Sequence, residues 1–241
     1  MNRRRFLTTV STASASLAAA GTSGSLLAAE ETQGSDPKGL VIRTTKLSPP
    51  ASGLIPVAVV MSERVNVIDF SGPWGVFESV DVPDSGFQLF AVTETMDVVR
   101  SASGLKIKPD YMFANVPPVK VVVIPAQKGS DAMRNWLKKI SQTADVTMSV
   151  CTGAFQLAKA GLLNGEVATT HHEFLDQLER DFPEIKVKRG VRFVEGAKIS
   201  TAGGLTSGTD LALRVVERYF GRAVAERTAL YMEYQGKGWI V

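Results

Sequence analysis

The segment VTMSVCTGAFQLAKAGLL, residues 146–163, contains the chain's only cysteine, Cys151, between an apolar run and a helix-like run. Residues 145–150 predict a buried strand, and residues 152–160 predict a helix that ends at Gly161. Because no spacer separates the two, the sequence predicts a sharp strand-to-helix elbow. Cys151 would then lie at the turn, above the sheet and beside the helix N-terminus.

Such an elbow has two consequences for the sulfur atom of Cys151. The positive end of the helix and its unpaired N–H groups are expected to lower the thiol pKa below its usual value of about 8.5. The same N–H groups can bind an oxyanion, and Gly153 lets the neighbouring backbone approach closely. The alternative is that Cys151 is a small buried apolar residue, which is the commonest fate of a free cysteine.

The rest of the chain alternates short β-branched runs with amphipathic stretches, a rhythm typical of βαβ units. Further strands are predicted at residues 56–61, 87–93, 120–124, 167–169 and 198–201, and further helices at 70–80, 130–141, 172–181, 207–220 and 222–234. Two short runs at 98–101 and 105–107 predict a β-hairpin appended to the sheet. The predicted fold is a three-layer α/β sandwich with a mainly parallel sheet, whose ligands bind at the C-terminal ends of the strands.

The first 29 residues differ in kind from the rest, with three arginines, no acidic residue, and then Ala, Ser and Thr with scattered Leu. RRRFL at residues 3–7 fits the twin-arginine export pattern, so we predict a signal peptide over 1–29 and a periplasmic location. A disordered tail is the alternative, since Ser, Thr and Gly dilute the run too much for a membrane anchor. Residues 30–53 predict a linker or extended arm, and residues 54–241 the folded domain.

Composition excludes several classes of protein. The chain has 44% hydrophobic and 21% charged residues, as packed globular proteins do. Loss of three arginines would leave equal numbers of basic and acidic residues, because the whole chain has 27 Lys+Arg and 24 Asp+Glu. The sequence has no cluster of Lys and Arg with interleaved aromatic residues, so nothing in its composition indicates a nucleic-acid partner. A single cysteine excludes an intrachain disulfide, and in an oxidising compartment a free thiol is a liability unless it is used.

A nucleophilic thiolate needs a base or a polar partner. The chain has two histidines, adjacent in EVATTHHEF. His171 ends a predicted strand at the sheet edge where Cys151 is expected, whereas His172 fits a solvent-facing helix start. Asp69 follows the loop after the first strand, and it either caps the next helix or takes a proton from the thiol. Two adjacent histidines and one cysteine give too few ligands for a metal site, and we predict no cofactor.

Four segments together resemble a known family: residues 68–77 (IDFSGPWGVF), 101–125 (SASGLKIKPDYMFANVPPVKVVVIP), 149–171 (SVCTGAFQLAKAGLLNGEVATTH) and 201–221 (TAGGLTSGTDLALRVVERYFG). They resemble the ThiJ/PfpI family of the class I glutamine amidotransferase-like superfamily. Within it they are most similar to isonitrile hydratases and to the amidase-like domains of AraC-type regulators. The resemblance extends over residues 56–234. It implies a flavodoxin-like sandwich, a homodimer and a reactive cysteine on the elbow.

The resemblance also implies roles for four residues. Cys151 matches the family nucleophile, and Thr152 matches the threonine that follows it. Asp69 matches the acidic residue that isonitrile hydratases use beside the cysteine, and His171 matches a strand-end histidine near the thiol. The implied chemistry is thiolate attack on the carbon of an isonitrile, amide or aldehyde. Asp69 would manage the proton, and the N–H or hydroxyl of Thr152 would bind the developing charge.

The sequence departs from the family pattern at two places. Relatives have Pro-Gly-Gly where this chain has Pro125, Ala126 and Gln127, so Ala126 and Gln127 are the candidate oxyanion residues here, with Gly153 lining the same pocket. If the turn needs a positive φ, alanine or glutamine would be strained by about 1 kcal/mol. His172 replaces a tryptophan of the isonitrile hydratase pattern, which removes an aromatic wall from the expected pocket.

The residues and the family resemblance together imply three possible functions. The first is a cysteine-dependent hydratase or hydrolase acting on a C–N bond of a small electrophile. The second is a non-catalytic ligand-binding or redox-sensing module, as the altered Ala126-Gln127 loop suggests. The third is glyoxalase-like or protein-repair chemistry at the same cysteine. In each case the expected partner is a small molecule, with no nucleic acid and, after loss of the signal, no membrane.

Overall fold

The computed structural model describes residues 37–241, so the predicted signal peptide lies outside the described residues. The strands are β1 (Leu40–Val41), β2 (Ile55–Val60), β3 (Phe87–Thr93), β4 (Val99–Arg100), β5 (Lys106–Ile107), β6 (Tyr111–Met112), β7 (Val121–Ile124), β8 (Val146–Val150), β9 (Val167–Ala168), β10 (Lys186–Val187), β11 (Phe193–Glu195) and β12 (Ile199–Ala202). The helices are α1 (Val67–Glu78), α2 (Asp131–Thr143), α3 (Ala154–Lys159), α4 (Leu175–Asp181), α5 (Ser207–Phe220) and α6 (Arg222–Tyr231). In this part of the chain no helix has the length and apolar content needed to cross a membrane.

Eight of the strands form one sheet, in the order β1-β11-β12-β8-β7-β2-β3-β6. The six strands from β12 to β6 pair in parallel, whereas β11 runs antiparallel to β12. All four residues of β7 are completely buried, because helices cover both faces of the sheet. The predicted flavodoxin-like α/β sandwich with a mainly parallel sheet is therefore confirmed.

Alternate residues of each strand supply two separate cores, since successive side chains point to opposite faces. Val57 and Val59 of β2 pack in the core formed with α1, α5 and α6. Ala58 and Val60 pack in the core formed with α2, α3 and α4. The C-terminal ends of the parallel strands are thereby held between two helical layers, and the candidate site forms at this edge.

Some predicted elements are placed differently in the structure. The hairpin of β4 and β5 forms as predicted, but as a two-stranded sheet of its own. Strand β9 pairs with β10 instead of joining the central sheet. Helix α1 begins at Val67 and not at residue 70, because Asn66 is its N-cap and accepts the N–H of Ile68 at 3.2 Å. Asp69 is consequently not the cap, and its carboxyl group is available to other partners.

The stretch predicted as a linker contributes an edge strand. Leu40–Val41 pairs in parallel with β11, and Gly39 lies so close to the ring of Phe193 that a Cβ there would be 1.9 Å from it. Further along the arm, Arg218 donates to the carbonyl oxygen of Thr45 at 3.1 Å, and the N–H of Leu47 donates to that of Arg218 at 2.9 Å. These contacts hold the arm against α5.

Candidate active site

Cys151 lies directly after β8, in a short 3₁₀ turn that leads into α3. Its φ of +58° is in the left-handed region, which non-glycine residues rarely adopt. The turn is held from two sides, because the Cys151 N–H donates to the Gly203 carbonyl and the Thr170 hydroxyl donates to the Cys151 carbonyl, both at 2.8 Å. A strained residue that its surroundings hold in place is a candidate functional residue.

Gly153 lets the elbow pack directly on the end of β7. A Cβ at this position would lie 2.1 Å from the carbonyl oxygen of Ile124 and 2.9 Å from that of Pro125. Both neighbours are main-chain atoms, which cannot move away as the end of a flexible side chain does. The role of Gly153 is therefore to fix the position of the elbow on the sheet.

We expect Gly153→Ala to lower the free energy of unfolding by about 2–3 kcal/mol, because the added methyl group displaces the main chain of β7. Urea denaturation monitored by tryptophan fluorescence measures this change. Gly75→Ala is the matched control, since a Cβ there meets only the end of Met232 at 3.7 Å and alanine favours a helix. Equal stabilities of the two variants would contradict the proposed packing role.

Asp69 reaches the elbow from α1 and is completely buried. One carboxyl oxygen, Oδ2, accepts the N–H of Ala126 at 3.1 Å, and the carboxyl group lies close enough to the Cys151 thiol for each group to shift the pKa of the other. The other oxygen, Oδ1, has no hydrogen-bond partner among the described residues. Helix α1 approaches α5 closely at Gly72, where a Cβ would lie 2.8 Å from the hydroxyl of Thr209. This close approach brings the carboxyl group to the thiol.

Burial dominates the protonation of this pair. It raises the pKa of Asp69 to about 6, although the hydrogen bond from the Ala126 N–H and the nearby Cys151 thiol and Leu205 N–H act against it. Burial, followed by the charge of Asp69, raises the pKa of Cys151 to about 11. The N–H groups of Thr152 and Leu205 do lower that pKa, but the net direction is opposite to the one predicted from the helix N-terminus. Near neutral pH the pair shares one proton, which lies on sulfur while the carboxylate is free to accept it.

The raised pKa of Asp69 links stability to pH. The pKa of Asp69 is about 6 in the folded protein and 3.8 in the unfolded chain, so the folded protein binds this proton more tightly. The contribution of Asp69 to the free energy of unfolding is therefore complete below pH 3.8 and is lost as the pH rises through 6. The loss amounts to about 3 kcal/mol. Urea unfolding of the wild type and Asp69→Asn between pH 4 and 7 should show the wild type losing this much relative to the variant. A difference that does not change with pH would contradict the raised pKa.

The loop after β7 differs from the expected oxyanion site. The Ala126 N–H donates to Asp69, so it is occupied in holding the carboxyl group. The Gln127 side chain donates to the carbonyl of Val60 at 3.0 Å and to that of Pro125 at 3.3 Å. Neither Ala126 nor Gln127 has a positive φ, so the strain predicted for this turn is absent. The loop positions Asp69 through the Ala126 N–H, and the oxyanion role predicted for these two residues stays a prediction.

Leu205 is a site residue that the sequence does not identify. It follows β12, has a φ of +51°, and has its N–H near enough to the thiol of Cys151 and the carboxyl group of Asp69 to lower the pKa of each. Together with the Thr152 N–H it supplies the donors that stabilise negative charge on sulfur. The sequence feature that could have identified Leu205 is its position directly after a strand and two glycines, Gly203 and Gly204.

His171 contacts Glu173, His172 and Gly204, and its predicted role beside the thiol stays a prediction. Its Nδ1 accepts the N–H of Glu173 at 3.3 Å, which leaves Nε2 as the donor of the neutral ring. The ring packs on His172, with centroids 4.4 Å apart, and on Gly204, where a Cβ would lie 2.3 Å from it. No hydrogen bond joins His171 and Cys151 within residues 37–241. His171 instead lines a cavity of about 390 Å³ beside the elbow.

The described part of the chain contains no group of three or more His, Cys, Asp or Glu side chains placed to hold a metal ion. The arrangement consists of a thiol, an adjacent carboxyl group and two main-chain donors. Such a set is suited to addition of sulfur to a polarised carbon, with the carboxylate carrying the proton.

Known proteins are similar in sequence to this chain. The chain matches the DJ-1/PfpI family over residues 56–218, a range that includes Asp69, Cys151 and Leu205. An isonitrile hydratase of Pseudomonas putida is 31% identical over 184 residues, which cover 74% of this chain and 78% of the relative. The HTH-type transcriptional regulator CdhR of Pseudomonas aeruginosa is 32% identical over 120 residues, which cover 49% of this chain and 33% of the regulator.

The architecture is also found in solved structures. A THiJ/PfpI family protein from Pseudomonas syringae superposes with a TM-score of 0.69 at 28% sequence identity, over 78% of each chain. The common part therefore contains most of the sandwich.

Proposed function

Because the chain belongs to the DJ-1/PfpI family, we propose that it is an exported, cysteine-dependent hydratase or hydrolase acting on a C–N bond of a small electrophile. An isonitrile is the substrate class favoured by the 31% identity to isonitrile hydratase. The observation that carries the proposal is the placement of a buried carboxyl group, Asp69, beside the thiol of Cys151, which the elbow holds at a φ of +58°. The RRRFL pattern at residues 3–7 supports export to the periplasm, and the family resemblance supports a homodimer.

In the proposed first step, Asp69 takes the proton from the thiol of Cys151 while sulfur bonds to the terminal carbon of the isonitrile. The N–H groups of Thr152 and Leu205 stabilise the charge on sulfur during the attack. Asp69 then returns the proton to the same carbon. The product is a thioimidate, in which that carbon carries one hydrogen, a C–S bond and a C=N bond.

In the second step, water adds its oxygen to the thioimidate carbon and a proton to nitrogen. The C–S bond then breaks, the hydroxyl proton passes through Asp69 to sulfur, and an N-substituted formamide leaves. The overall reaction adds one water to the isonitrile and regenerates the thiol. A carboxyl group with a pKa near 6 both accepts and releases a proton near neutral pH, as this sequence of steps requires.

The test is incubation of the mature protein with a panel of small alkyl and aryl isonitriles, with formamide detected by its formyl proton in NMR spectra. In water enriched in ¹⁸O the formamide should carry the label, and quenched mixtures should show the thioimidate on Cys151 by intact mass. Recovery of every isonitrile unchanged from folded protein would overturn the assignment.

A ligand-binding module is the second candidate, and one observation favours it. With a pKa raised to about 11, the Cys151 thiol is almost entirely protonated near neutral pH, which suits binding without reaction. The same shift disfavours redox sensing, because oxidation proceeds through the thiolate. Equilibrium binding of a metabolite that is recovered unaltered would support this function. Lactate formed from methylglyoxal would support the glyoxalase-like alternative instead.

A further inference from the structure

The cavity beside the elbow has a basic lining. Its volume is about 390 Å³, and the titratable side chains that line it are Arg192, His171 and His172. Within the described residues no Asp or Glu side chain forms part of its wall. The hydroxyl-bearing residues Thr206 and Ser207 add polar groups. We call this space the basic cavity.

Arg192 is held so that its positive end faces the basic cavity. Its Nε donates to Oδ2 of Asp210 at 2.7 Å, and its Nη2 donates to the hydroxyl of Thr206 at 3.2 Å. Asp210 is completely buried, whereas 24% of the Arg192 side chain is exposed. Asp210 lines a separate cavity of about 210 Å³ together with Arg192, but it does not line the basic cavity. On the side of the basic cavity, a ligand would therefore contact the cation of the pair and not its carboxylate. A guanidinium group fixed in this way is suited to binding a planar carboxylate.

His171 adds a second donor on the same wall. Its Nδ1 side faces Glu173, whose carboxylate is 3.9 Å away and 68% exposed, while Cδ2 and Nε2 pack over Gly204. Gly204 and His171 both line the basic cavity, and Nε2 is the ring nitrogen that lies near Gly204. The acidic neighbour of this histidine is thus on its other side.

The basic cavity adjoins Cys151 through three residues. Thr170, Gly203 and Leu205 line it, and each contacts Cys151: the first at its carbonyl, the second at its N–H and the third at its thiol. Cys151 is not itself part of the cavity wall, so these three residues are what connects the basic cavity to the elbow.

We propose that the basic cavity binds an anionic group of the substrate, a carboxylate in the simplest case, while the electrophilic carbon lies over Cys151. The substrate class is then a small isonitrile or amide that also carries an acid group. This inference rests on the proposed function, in which Cys151 attacks that carbon. Arg192 is its specificity-determining residue, and His171 is a supporting donor.

Two alkylating reagents test the charge of the cavity without any turnover. Iodoacetate and iodoacetamide have nearly the same shape and form the same C–S bond with loss of iodide, but only iodoacetate is anionic. The quantity measured is the ratio of their rates at Cys151 in the folded protein, followed by intact mass. In wild type we expect this ratio to exceed that of a neutralised variant by about five- to tenfold at low salt.

The neutralised variant is Arg192→Gln combined with Asp210→Asn, which removes both charges of the pair and so leaves no unpaired buried carboxylate. Asp69 is present in both proteins, so its repulsion of iodoacetate cancels in the comparison. Arg189→Gln is the matched control. It loses one positive charge three residues away, from a side chain that pairs with Asp176 and Glu179 and does not line the basic cavity. The control should keep the wild-type ratio.

If the double variant does not fold, a protection experiment on the wild type alone tests the inference. Propionate should protect Cys151 from iodoacetamide at least about fivefold better than propionamide does, because only propionate can pair with Arg192. Equal protection by the two, or a rate ratio that is the same in wild type and the neutralised variant, would overturn the inference.

The outcome is separable from that of the proposed function. Preference for iodoacetate without any isonitrile turnover would support the anion site and count against the hydratase. The opposite result would be turnover of isocyanoacetate and its methyl ester with equal kcat/KM, together with the same iodoacetate-to-iodoacetamide rate ratio in wild type and the neutralised variant. It would support the hydratase and exclude the anion site. Preference in both assays would support both.

Discussion

Replacement of Cys151 by alanine is expected to lower kcat/KM for isonitrile hydration by at least about 10³-fold. Sulfur forms the covalent bond to the substrate carbon in the proposed reaction, and no other described side chain at the elbow is a nucleophile of comparable strength. The formyl-proton assay measures the loss. Alanine at φ +58° has the same main-chain strain as cysteine, so the variant should unfold at nearly the temperature of the wild type.

Thr152→Ala is the control for this prediction. It changes the next residue of the same turn but keeps the N–H that approaches the thiol. We expect less than about a threefold change, since the donor is the main chain and not the hydroxyl. Undiminished turnover by a folded Cys151→Ala protein would exclude covalent catalysis by sulfur.

Replacement of Asp69 by asparagine should have two opposite effects. Isonitrile hydration should fall by about 10²- to 10⁴-fold, because the amide cannot accept the thiol proton. Alkylation of Cys151 by iodoacetamide near pH 8 should become faster, because loss of the Asp69 charge moves the thiol pKa down from about 11. The amide oxygen can still accept the Ala126 N–H, so the local fold is retained.

The pH profile provides the corresponding test for the wild type. The carboxyl group must be ionised to act as a base, so kcat/KM should rise with pH through about 6 and be lost below it. This limb should be missing from the residual activity of Asp69→Asn. If hydration and alkylation both slow down in the variant, Asp69 has a structural role and is not the base.

The sequence predicted the fold and the central part of the site because the signals were local and strong. Long β-branched runs such as 87–93 define strands without help from the rest of the chain. The absence of any spacer between Val150 and the following helix was enough to predict the elbow at Cys151. Asp69 was identified because acidic residues are unusual between apolar ones, and the structure places it beside the thiol.

The features that the sequence did not indicate are an edge strand, a main-chain donor and the direction of a pKa shift, and all three depend on long-range contacts. Leu40–Val41 is too short to be recognised as a strand, and it exists because β11 pairs with it. Leu205 has no chemically reactive side chain, and its role lies in a main-chain N–H that a positive φ orients. The pKa of Cys151 was predicted in the wrong direction because the helix terminus is visible in the sequence, whereas burial and the nearby carboxylate appear only in the folded chain.

The two ends of the central sheet have a consequence for assembly. Both edge strands, Leu40–Val41 and Tyr111–Met112, are two residues long, so each offers few free main-chain groups to another chain. A continuous sheet across two copies is accordingly disfavoured, as is the strand addition that starts fibrous aggregates. Any stable dimer would then use helical surfaces, such as the end of α6, where Leu230 and Tyr231 are 79% and 77% exposed.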